Sequence, residues 1–149
     1  MAVKFKIRKG DTVVVRTGRD KGKRGEREAA KKLTELLGVP VRRSQQYKGT
    51  PEAADLHGVP GLHFEVKRCE RLSLYRAMEQ AESESGDDCS VVLHRRNGKR
   101  WVAVFYLDDL VDITEAVNKL LAAARMHAGS RSRDGDTHLD HNPLTAEPG

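Results

Sequence analysis

Asp55, Glu65 and Lys67 are the residues whose types and spacing suit chemistry. Asp55 and Glu65 are ten residues apart, with 58-GVPG-61 between them to turn the chain. Two strands joined by that turn would bring both carboxylates to one end of a hairpin. In 61-GLHFEVKR-68, period-two alternation puts Leu62, Phe64 and Val66 on one face and His63, Glu65 and Lys67 on the other. The first face predicts core; the second is either wet surface or a site that uses both charges. Two carboxylates several ångströms apart form a hard-ligand site for Mg²⁺ or Mn²⁺, which prefer oxygen. A nearby ammonium can orient or help deprotonate an attacking water and offset charge on a pentacovalent phosphate. By spacing alone the pattern fits a solvent-exposed pair better than a site, because 33% of the chain is charged.

The elements that must position these residues can be read from periodicity. Val13–Val15 predicts a short strand, followed by a glycine-rich basic loop, 18-GRDKGKRG-25. In 26-EREAAKKLTELLG-38 the period changes: Ala29, Ala30, Leu33, Leu36 and Leu37 recur at helical spacing, and Gly38 with Pro40 stops the helix. A short strand is expected over 39-VPVRRSQ-45, a loop over 46–53, and a brief strand and turn over 54–61. Leu74, Met78 and Ala81 mark a helix over 74–83. Ser90–His94 and Trp101–Tyr106 read as two strands joined at Asn97-Gly98, a hairpin signal. Leu110, Val111, Ile113, Val117, Leu120 and Leu121 mark a final helix over 108–126, and the residues after it read as a disordered tail. This order predicts an α/β fold, a single domain with a central mixed β-sheet flanked by helices.

At 149 residues the chain suits one domain with a real core. It holds no apolar run near the 18–20 residues of a membrane helix. The start, MAVKFKIRKGD, lacks an apolar h-region, so no secretion signal is expected. Cys69 and Cys89 follow no metal or disulfide pattern and read as free thiols in a reducing cytoplasm. Residues 1–50 carry 15 Lys/Arg against 5 Asp/Glu, whereas the remainder carries 12 against 17. A basic first third suggests a polyanionic partner, foremost nucleic acid. His57, His63 and His94 lack ligand spacing and read as structural. Trp101, Phe105 and Tyr106 read as core or interface, and Tyr47 as a packed loop aromatic. The tail stretch 134-DGDTHLDH-141 has metal-friendly types without a scaffold.

Several motifs in order, 21-KGKRGEREAAKKLTELLGVPVRRSQQYKG-49, 54-ADLHG-58, 62-LHFEVKRCERLSLYRAMEQA-81 and 91-VVLHRRNGKRWVAVFYLDDL-110, resemble small phage-encoded nucleases of the PD-(D/E)xK superfamily, the Holliday-junction-resolvase-like proteins. The resemblance implies a restriction-endonuclease-like core over residues 21–126 and a Mg²⁺-dependent endodeoxyribonuclease, with Mn²⁺ substituting. It matches Asp55 to the metal-binding Asp, Glu65 and Lys67 to the ExK pair, and the Val66 carbonyl to a further metal ligand. Glu26 matches the acid of the first helix; Glu28 competes for that role, because positions i and i+2 of a helix face apart. Gln80 is a candidate for reaching the attacking water. Arg43-Ser44 resembles a pair that contacts the scissile phosphate, and Lys23, Arg24, Arg42, Lys48 and Arg68 are further DNA-contact candidates. The family's Pro-Asp is here Ala54-Asp55. The implied partners are DNA and, because resolving a junction takes two coordinated cuts, a second copy in a homodimer. No membrane or small-molecule cofactor is expected, and the implied location is the cytoplasm of a bacterial or phage-infected cell.

Residues 6-KIRKGDTVVVRTGRDKGKRGE-26 also resemble the KOW motif of a ribosomal protein, but the match breaks at Glu26, where a helix follows instead of a strand. Half a barrel cannot close its hydrogen-bond ladder, so residues 1–20 are expected to form a basic arm or edge strand. The competing reading of the whole chain is a non-catalytic nucleic-acid-binding protein built on the basic first third.

Overall fold

The computed structural model describes residues 18–45 and 54–131, with side chains from 21 to 129. The expected Val13–Val15 strand, the 46–53 loop with Tyr47 and Lys48, and the tail beyond 131 lie outside the described residues. The elements run α1 (Gly18–Leu37), β1 (Arg42–Arg43), β2 (Leu56–His57), β3 (Leu62–Arg68), α2 (Leu74–Ser85), β4 (Cys89–Arg95), β5 (Val102–Val104), a short 3-10 turn (Leu107–Asp109) and α3 (Leu110–Arg131). The fold is α/β: a mixed five-stranded sheet in the order β1-β2-β3-β4-β5, flanked by helices. Only β3 and β4 pair in parallel among the described strands. The roughly 20 residues between them, carrying α2, provide the crossover a parallel pair requires.

Alternation along β3 and β4 makes two cores. Leu62, Phe64, Val91 and Leu93 pack with Leu56 against Ala29 and Ala30 of α1, and Ile113, Val117 and Leu120 of α3 close the same cluster. On the opposite face Val92 packs against Ala77, Met78 and Ala81 of α2. Glu65 is paired with Val92, so it shares the α2 face. Both sides of β3 are therefore covered, and Glu65 is only 7% exposed. The polar face of that strand is not an ordinary wet surface.

Several boundaries depart from the periodicity, among them the last strand, expected over 101–106 and formed by Val102–Val104 alone. The expected loop 18-GRDKGKRG-25 is the first part of α1. Gly25 is there for close approach and not for a turn: a Cβ at that position would stand 2.6 Å from the Cβ of Arg68 on β3. The strand expected over 39–45 shrinks to two paired residues. The final helix runs on to Arg131. The turn between β2 and β3 does need its glycine. Gly58 has φ +136°, and a Cβ there would lie 2.6 Å from the Pro40 carbonyl oxygen.

Candidate active site

The short strand β2 delivers Asp55 to the middle of β3. Leu56 pairs with Phe64, and the Asp55 amide donates to the Phe64 carbonyl at 2.9 Å. The side chain then turns back onto the strand, where Oδ2 accepts the Val66 N–H at 2.7 Å. A residue within a strand sends its N–H and C=O to the same side, so the Val66 carbonyl also leaves β3 toward Asp55. Next to it, Lys67 Nζ donates to Glu65 Oε1 at 2.6 Å, the same-face contact expected from period two. From α2, Gln80 accepts from Lys67 at 3.1 Å and donates to Glu65 at 3.4 Å. Gln80 thus joins the Glu65–Lys67 pair.

Electrostatics tie Asp55, Glu65, Glu26 and Lys67 into one cluster. The Asp55 carboxyl is pushed up to about 7, first by burial and further by the negative charges of Glu65 and Glu26; the Val66 N–H and the Lys67 ammonium oppose this without cancelling it. An acid held where it resists ionisation, beside two more acids, is a donor set short of positive charge. It fits a divalent cation on chemical grounds, since carboxylate and carbonyl oxygens are the ligands Mg²⁺ and Mn²⁺ take.

The two helix acids part company. Glu26 is ion-paired with Arg43 of β1, within electrostatic reach of Asp55. Glu28 is held instead by Arg24 at 2.9 Å, Arg68 at 3.3 Å and Arg95 at 3.5 Å. Burial works against its charge, but the Arg24 and Arg68 guanidinium groups outweigh it and keep the carboxyl below its usual range. Ser44, expected to face phosphate, is turned inward: it is 3% exposed and its hydroxyl donates to the Ala54 carbonyl. Its backbone N–H holds the Asp55 carbonyl at 2.9 Å, so Ser44 fixes the segment that carries Asp55. Arg42 is exposed on β1, and Lys23 is half-buried on α1. Arg24 and Arg68 line a groove with Lys21 and Asn97. A second groove is lined by Lys31, Lys32, Arg95, Lys99 and Arg100 beside Trp101.

No family model matches the chain. No curated protein matches it. Among solved structures, the fold is similar to Hjc, a Holliday junction resolvase from the archaeal hyperthermophile Archaeoglobus fulgidus, with a TM-score of 0.42 and 19% identity over 56% of this chain and 76% of that one. Among the described residues, no helix is long and apolar enough to cross a membrane.

Sequence reasoning passed over one feature of this region. His63, read as structural for want of ligand spacing, stands with Glu65 and Glu84 in a group whose ligand atoms all lie within 4.8 Å of one another. The signal was present in part, because His63 and Glu65 alternate onto one strand face. Glu84 comes from a helix, and no linear spacing announces it.

Proposed function

We propose that this protein is a divalent-metal-dependent nuclease that hydrolyses DNA phosphodiesters, with a restriction-endonuclease-like core and a preference for branched DNA. The observation that carries the reading is the Asp55 carboxylate anchored on the Val66 amide, between the two charged residues of the Glu65–Lys67 pair. Asp55, Glu65 and the Val66 carbonyl would hold Mg²⁺, for which Mn²⁺ substitutes. A bound cation there supplies positive charge to the phosphate oxygens and makes a water easier to ionise. Lys67 is oriented by Glu65 and Gln80, which leaves its third N–H as a fixed donor for the attacking water or a phosphate oxygen. Glu26 adds a further acid at the edge of the cluster, with Arg43 holding its orientation. Lys23, Arg24, Arg42, Arg43 and Arg68 offer charge to the DNA backbone. A four-way junction needs two cuts, so that substrate would call for a homodimer, and the setting would be the cytoplasm of a bacterial or phage-infected cell.

The test is cleavage of junction, flap, duplex and single-stranded DNA in Mg²⁺, Mn²⁺ or EDTA. Cutting is expected in either metal and none in EDTA, with Asp55→Asn and Lys67→Met each slowed at least about 100-fold while still binding DNA. The basic grooves favour one other reading, a binding protein without catalysis. That reading predicts salt-sensitive binding and intact DNA under every condition.

A further inference from the structure

His63 lies two residues before Glu65 on the α2 face of β3 and is 4% exposed. Its Nε2 is buried and has no hydrogen-bond partner among the described residues. A buried polar atom left unpaired costs stability, so native structures rarely keep one without a purpose. A ring nitrogen of His63 and carboxylate oxygens of Glu65 and Glu84 lie within 4.8 Å of one another. Ligands at ordinary Zn–N and Zn–O lengths sit about 3–4 Å apart around a shared ion, so a small inward movement would close the set. Glu84 is one helical turn after Gln80, whose amide donates toward both Glu84 and Glu65 at 3.4 Å. The two glutamates are thus already directed to one place. A cavity of about 400 Å³, lined by His63, Glu84, Leu56, His57 and Asp88 among others, provides a way in from solvent.

We propose that His63, Glu65 and Glu84 form a second cation site, for a transition ion such as Zn²⁺, which shares Glu65 with the Asp55 cluster. The imidazole decides the ion class. Nitrogen ligands suit Zn²⁺ and its neighbours, whereas Mg²⁺ keeps to oxygen. Ligation through Nε2 would also give that buried atom its missing partner. The site has Glu65 in common with the proposed nuclease centre, but it needs no cleavage activity to exist.

The experiment is titration of Zn²⁺ into the Asp55→Asn protein against a chromophoric chelator, with the histidine ring nitrogens followed by NMR. One Zn²⁺ should bind, shift the His63 ring signals and resist millimolar Mg²⁺. His63→Gln and Glu84→Gln should each weaken it at least 10-fold. Zn²⁺ affinity unchanged in both variants, or held entirely by the cysteines and other histidines, overturns the site. Should His63→Gln fail to fold, Glu84→Gln decides, since that partly exposed helix position tolerates glutamine. A parent protein that binds Zn²⁺ here yet cuts no DNA would sink the nuclease reading and leave this one standing.

Discussion

Asp55 shows at the scale of one residue what the site costs. Its carboxyl stands near 7 in the folded chain against an ordinary 3.8. Between those values the folded state keeps a proton that the unfolded state has released. The stability this proton contributes is complete below pH 4 and is lost as pH rises through 7. The metal-free protein should therefore weaken from pH 5 to pH 8. Asp55→Asn should flatten that slope and be the more stable chain at pH 8, by on the order of 1–4 kcal/mol. Urea denaturation in EDTA checks this, and parallel pH profiles for the two proteins would contradict it. Mg²⁺ should act in the opposite sense, raising the midpoint of the parent more at pH 8 than at pH 6, because the ion competes with the proton.

Among the elements, what could be read ahead depended on whether a local pattern carried the information. The ExK strand was legible because alternation fixes faces, and Lys67 does meet Glu65 on one of them. Alternation cannot say what covers a polar face, so the roof that α2 places over Glu65 was not legible. The front of α1 was hidden for another reason. Its residues 18–25 include three glycines, a loop signal by propensity, yet Gly25 is small because β3 passes against it. Glycine in one helix thus has two meanings. Gly22→Ala meets nothing within 4 Å and should stabilise by up to about 1 kcal/mol. Gly25→Ala places a methyl 2.6 Å from Arg68 Cβ and should destabilise by about 1–3 kcal/mol, while displacing neighbouring Glu26. Thermal melts of the two variants should move in opposite directions; a shared sign would mean that α1 does not pack this closely.

For the molecule as a whole, charge sets the terms of association. The described basic residues of the first third lie along α1 and at β1, and the hairpin residues Arg95, Lys99 and Arg100 join them from far along the chain. DNA affinity should fall steeply with salt, as log K against log salt, with a slope near −0.9 for each phosphate engaged. Replacing Lys99 and Arg100 together by Gln should make that slope shallower by about 2, measured by fluorescence anisotropy from 50 to 300 mM salt. An unchanged slope would put the DNA elsewhere.

Arg68 ties this arrangement together. Its guanidinium bonds Glu28 of α1 and, at 2.8 Å, the Asn97 side chain of the hairpin tip, while the Asn97 amide bonds Glu70 just past β3. Helix, strand and tip therefore ride on one chassis. A backbone lying across the tip would find its distance to the three acids set in advance, and docking would not have to freeze a floppy arm before anything else could happen.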